Sequence, residues 1–126
     1  MKNLEDKTVN NLVKAIKSGQ KKFTGWDFVE DESAQNLDLS GITFESCFLF
    51  LDFKNANLTD SKFINCNIKT ADFRGANLKN GLIRNCSVES TMFKGANIEG
   101  LKFENNGYFG ISLGQSDLVK LMEDEK

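Results

Sequence analysis

Three cysteines, two aspartates in matching contexts and a complete lack of histidine limit the chemistry open to this 126-residue chain. Without histidine, Ser-His-Asp and Cys-His nucleophilic arrangements and most zinc sites drop out. Cys47, Cys66 and Cys86 form no C-x-x-C pair and lack a fourth ligand, so they read as small packed side chains. Asp52 and Asp72 each precede a Phe, and a carboxylate pair is the usual apparatus of general acid–base catalysis. Their surroundings instead favour a surface or backbone-bonding role. Glycines are spread along the chain and do not gather before a helix, so no phosphate loop is present. No catalytic, cofactor-binding or metal-binding residue is assigned, and the chain is expected not to be an enzyme.

Charge narrows the partners. The chain carries 16 basic and 18 acidic residues, a formal net charge of −2, spread evenly. No basic stripe suits nucleic acid or a membrane surface, and no acidic field is strong. No apolar run approaches a membrane span, and no secretory h-region opens the sequence. Free thiols without such a leader fit a reducing cytosol, so a cytoplasmic location is expected.

The elements that must hold these residues follow from a beat of five. Leu58, Phe63, Ile68, Phe73, Leu78, Ile83, Val88, Phe93, Ile98, Phe103, Tyr108, Leu113 and Leu118 are large and apolar. That period fits neither a helix nor a lone strand, so the chain must turn a corner every five residues. The residue two before each centre is usually small, as at Ala56, Ser61, Cys66, Ala71 and Ala76. Both positions point inward on a short strand. The residue two after each centre is the corner, from Gly41 and Ser46 to Gly110 and Gln115. Ten of these fifteen are Gly or Asn, which tolerate positive φ. Proline, which would break backbone ladders, is absent.

Ala56-Asn57-Leu58, Ala71-Asp72-Phe73, Ala76-Asn77-Leu78 and Ala96-Asn97-Ile98 resemble the Ala-(Asp/Asn)-(Leu/Phe)-X-X pattern of the pentapeptide-repeat family, in register over residues 37–118. The resemblance implies an all-β fold, a right-handed quadrilateral β-helix of about four coils. Side chains then stack at a spacing of twenty: Leu58-Leu78-Ile98-Leu118, Phe63-Ile83-Phe103, Ile68-Val88-Tyr108 and Phe73-Phe93-Leu113. The Asn57-Asn77-Asn97 and Asn65-Asn85-Asn105 columns are expected to form amide ladders. The step from Leu49 to Phe53 is four residues, so the first coil contains a deletion. Either Cys47 and Leu49 point inward, or Ser46 and Phe48 do. The first is preferred because it stacks Cys47 on Cys66 and Cys86, whose parallel Cβ vectors suit thiols better than disulfides.

Residues 1–36 are expected to be an N-terminal helical cap, 37–118 the β-helix and 119–126 a C-terminal cap or tail. Val9, Leu12, Val13 and Ile16 follow helical spacing and stop before Gly19, and Phe23, Trp26 and Phe28 are expected to complete the lid. Val119, Leu121 and Met122 would close the last coil or meet a second subunit, a homodimer through a terminal coil.

With chemistry excluded, binding is left. Phe48, Phe50, Ile64, Leu82, Met92 and Phe109 occupy outward slots that repeats usually fill with polar groups, and such residues often mark binding surfaces. Ile64 and Leu82 share a side in adjacent coils. Lys54, Arg74 and Lys94 stack as a basic column suited to an acidic partner. These five are the candidate partner-binding residues. The expected function is a non-catalytic protein-interaction module, in a sharper form one that neutralises a partner as an immunity protein does. The alternative implied by the resemblance is a DNA-mimicking topoisomerase-protection protein, though the repeat region, with eight basic and nine acidic residues, lacks a strong negative field.

Overall fold

The computed structural model describes residues 8–123, apart from the side chains of 29–31. Helix α1 (Val9–Lys17) leads into strands β1 (Lys22–Thr24), β2 (Asp27–Ser33), β3 (Thr43–Glu45), β4 (Phe48–Asp52), β5 (Lys62–Ile64), β6 (Leu82–Arg84) and β7 (Lys102–Glu104). A hairpin of β8 (Asn106–Tyr108) and β9 (Ile111–Leu113), a 3₁₀ turn and helix α2 (Leu118–Glu123) finish the chain. The body is a quadrilateral β-helix of about four coils.

Side 1 is a five-stranded parallel sheet in the order β1-β3-β5-β6-β7. The other sides are held by parallel bridges. Side 2 runs Phe48-Asn67-Ser87-Gly107, side 3 Asp52-Asp72-Met92, and side 4 Asp38-Asn57-Asn77-Asn97. Every expected corner from Gly41 to Gly110 has φ between 52° and 84°. Gln115 is the exception, because it lies in the 3₁₀ turn.

The core is two columns of phenylalanine facing each other. Phe23, Phe44 and Phe63 stack beneath side 1 with centroids 6.0 and 5.3 Å apart. Phe53, Phe73 and Phe93 stack beneath side 3 at 4.9 and 5.4 Å. Edge-to-face contacts such as Phe63–Phe73 at 5.5 Å join the columns. Rings stacked at the strand spacing gain offset contacts without needing hydrogen bonds, which suits Phe over Tyr.

The first-coil deletion lies in β4. Phe48 pairs with Asn67, nineteen residues on, whereas Asp52 pairs with Asp72, twenty residues on. Where the next coil turns at Thr70, β4 runs straight from side 2 to side 3, with Leu49 and Leu51 inward and Phe48, Phe50 and Asp52 outward. Cys47 and Leu49 are both buried, which selects the first of the two registers.

Three expectations change. The parallel ladder begins at Lys22, inside the segment read as a helical cap. Phe23 and Phe28 are core residues of a coil, and only α1 remains as the lid. The sequence hides this coil because β1 pairs with β3 at a spacing of twenty-one, and β2 bulges between Phe28 and Glu32. At the other end, Leu113 pairs antiparallel with Asn106, while the parallel bridges of side 3 end at Met92. Phe109 and Gly110 both have positive φ, which makes a two-residue hairpin turn out of what looked like a single corner. Finally, Asn57, Asn77 and Asn97 do not form an amide ladder. Each turns its Oδ1 onto the backbone N–H two residues later, at 3.1, 3.0 and 3.0 Å. In the second column, Asn105 does donate to Asn85 Oδ1 at 2.7 Å.

Candidate interaction surface

The local bonding of Asp and Asn residues separates side 1 from the other three. Asp38, Asp52, Asn67 and Asp72 accept from the N–H two residues on, as Asn57, Asn77 and Asn97 do. These contacts hold backbone donors at the corners where no strand continues. On side 1 regular strand pairing takes over that task, so the corresponding slot is released. It holds Lys62, Leu82 and Lys102, which are partners in adjacent strands.

Ile64 and Leu82 both lie on side 1 and are partly buried. They are diagonal neighbours: Leu82 is paired with Lys62, and Ile64 with Arg84. Around them the outward positions carry Lys22, Lys62, Arg84 and Lys102 against Glu45 and Glu104, four basic and two acidic groups. Lys22 pairs with Glu45 at 2.9 Å and Arg84 with Glu104 at 3.9 Å. Among the described residues, the Lys62 and Lys102 ammonium groups pair with no carboxylate. A shallow depression of about 280 Å³ runs beside Leu82 between Lys62 and Lys102, edged by Gly81 and Gly100.

Lys54, Arg74 and Lys94 lie on side 3, opposite side 1, so the five sequence candidates do not converge on one site. The basic column is also partly neutralised. Arg74 grips Asp72 through Nε at 2.9 Å and Nη2 at 2.7 Å. Lys54 lies 3.7 Å from Asp52 and 3.9 Å from Asp72. Burial raises the Asp72 carboxyl, but the Arg74 side chain and N–H and the Lys54 charge more than offset this and hold it below its ordinary value. The two aspartates therefore act as corner acceptors and counter-charges.

The cysteines line an inward polar column. Cys47, Cys66 and Cys86 donate to the carbonyls of Phe23, Phe44 and Phe63, each at 3.3 Å. Asn106 ends the column, donating to Ile83 O at 3.1 Å and accepting from Cys86 N–H at 2.9 Å. The Cys66 thiol and burial push the Cys47 thiol far up. Cys66 sits at about 12, pulled down by Cys47 and pushed up by Cys86 and burial. Among the described residues no group of three or more side chains could hold a metal ion. No helix among them is long and apolar enough to cross a membrane.

At the C-terminal end Phe109, Ile111 and Val119 are exposed. Ile111 occupies a slot two before a centre and reads as inward. The antiparallel return of β9 turns it outward. Sequence reasoning also missed Gln115, whose amide accepts from Phe103 N–H and donates to Leu101 O, both at 2.9 Å. It thereby satisfies the open edge of β7. Nothing in a lone Gln after the last clear repeat signals that role.

The comparisons agree with this architecture. A sequence profile described as "Pentapeptide repeat region" matches residues 37–113. None of the curated protein sequences compared with the chain matches it. A trypsin-treated form of QnrB1, a plasmid-mediated fluoroquinolone resistance protein, is similar with a TM-score of 0.57 and 23% identity, over 66% of this chain and 53% of that one. The chain thus spans about half the length of QnrB1. The pentapeptide repeat protein Rfr23 from the cyanobacterium Cyanothece 51142 is similar with a TM-score of 0.58 and 13% identity, over 79% of this chain and 98% of that one. At these identities the likeness to solved structures shows the fold. With the profile covering most of the coils and the coils built as the pattern requires, the chain belongs to the pentapeptide-repeat family.

Proposed function

We propose that the chain is a non-catalytic protein-interaction module that presents side 1 to a partner protein, in the manner of a neutralising, immunity-type protein. One observation carries the reading: Ile64 and Leu82, two large apolar side chains, sit together in outward slots on the five-stranded side of the rod. Repeat rods generally work by presenting such a rigid surface. The DNA-mimic alternative needs a strong negative field, and the outward positions of side 1 are basic in balance.

The test is affinity capture from the native host with mass spectrometry, comparing the wild-type chain with Ile64→Asp/Leu82→Asp. Both substitutions replace outward side chains, so the variant should keep its fold by circular dichroism. A partner captured by the wild type and lost by the variant supports the reading. A partner retained equally by both contradicts it, as does protection of a topoisomerase from a poison by the purified protein.

A further inference from the structure

We infer that side 1 is shaped for an acidic amphipathic helix of a partner protein, lying along the rod axis with carboxylates on Lys62 and Lys102 and apolar side chains on Leu82 and Ile64. The inference rests on the protein-binding reading above and adds the chemistry and geometry of the partner.

Three observations lead to it. Lys62, Leu82 and Lys102 form one straight row across β5, β6 and β7, so the two ammonium groups flank an apolar centre. Two strand steps separate them by about 9.6 Å. On an α-helix, positions i and i+7 lie on one face about 10.5 Å apart, with i+3 and i+4 between them. The spacing therefore matches an acidic–apolar–apolar–acidic stripe. Second, the other cations of this side are occupied: Lys22 pairs with Glu45 and Arg84 with Glu104, whereas Lys62 and Lys102 retain an uncompensated charge among the described residues. Third, Gly81 and Gly100 border the depression beside Leu82.

Nucleic acid is the other polyanion to consider. The side offers no exposed aromatic ring for stacking and only two uncompensated cations, whereas duplex binding draws on many phosphate contacts. An apolar centre between two lysines fits a helix face of the helix-in-groove type.

The probe is a synthetic Ala-rich helical 15-residue peptide with Glu at i and i+7 and Leu at i+3 and i+4, titrated into the full chain. Binding is followed by methyl NMR at Ile64 and Leu82. The peptide should shift those methyls, and raising the salt should weaken it. Lys62→Glu/Lys102→Glu should lower affinity about ten-fold or more, and a peptide with Lys in place of both Glu should recover binding to that variant. Lys54→Glu on side 3 should change nothing. Absence of methyl shifts, indifference to charge reversal, or tighter binding of a 12-base-pair DNA duplex at these methyls would each overturn the inference. In the capture experiment, a partner lost by Ile64→Asp/Leu82→Asp but held fully by Lys62→Glu/Lys102→Glu leaves the protein-binding reading intact and overturns only the acidic helix. A partner held by both variants overturns both.

Discussion

Asp72 has three jobs at once: it accepts from the Arg74 N–H, grips the Arg74 guanidinium and faces Lys54. Because its folded value lies below the ordinary one, its stabilisation is fully present above pH about 4 and is lost as pH falls through the folded value. Asp72→Asn keeps the Oδ1 acceptor, so it should flatten this acid limb in denaturation measured against pH. Asp72→Ala also strands the backbone donor and should cost about 1 kcal/mol more. The thiols make a second residue-scale prediction. With the Cys47 thiol raised by Cys66 and burial, and the Cys66 thiol raised by Cys86 and burial, both should resist a thiol reagent in the native state and react once the chain is unfolded in guanidinium. Rapid modification of the folded protein would contradict the packed column. Thr70 holds φ at 63° although it is β-branched. Thr70→Asn should therefore raise stability by about 1 kcal/mol in urea titration.

Elements here are defined by what closes them. The ladder on side 1 would end in an open edge at β7, and Gln115 fills it with one side-chain amide. Gln115→Leu should cost about 1–3 kcal/mol by stranding the Leu101 carbonyl and the Phe103 N–H. It should also raise self-association in sedimentation, since an unpaired edge invites another strand. How far the elements could be read in the sequence follows the same division. Coils with a twenty-residue spacing were legible to the residue, because Ala, Asx, a large centre and a Gly or Asn corner each reflect one local requirement. The coil of β1 and β2 was not, because a twenty-one-residue pairing and the β2 bulge break the beat although Phe23 and Phe28 still fill the core. The last was misread because Phe109 adds a second positive φ that no sequence rule assigns to phenylalanine. Ile64 and Leu82 stood out by their apolar character, whereas Lys62 and Lys102 resemble any surface lysine until the strands put them in one row with Leu82.

As a whole, the molecule is a rod with closed ends and four unequal sides. Helix α1 covers the first coil, and the hairpin, Gln115 and α2 cover the last. Side 4 holds its own corners through Asp and Asn contacts repeated coil after coil, side 3 does so at Asp52 and Asp72, and side 2 at Asn67. Side 1 makes no such contact, and there the chain places Ile64 and Leu82 and its uncompensated lysines. The central claim is that side 1 is the working surface and the rest is scaffold. The most direct test is a lysine-acetylation footprint, read by mass spectrometry, of the chain alone and saturated with its captured partner. The account predicts that Lys62 and Lys102 lose reactivity in the complex while Lys54 and Lys94 keep theirs. Protection of Lys54 and Lys94 with Lys62 and Lys102 unchanged would contradict it.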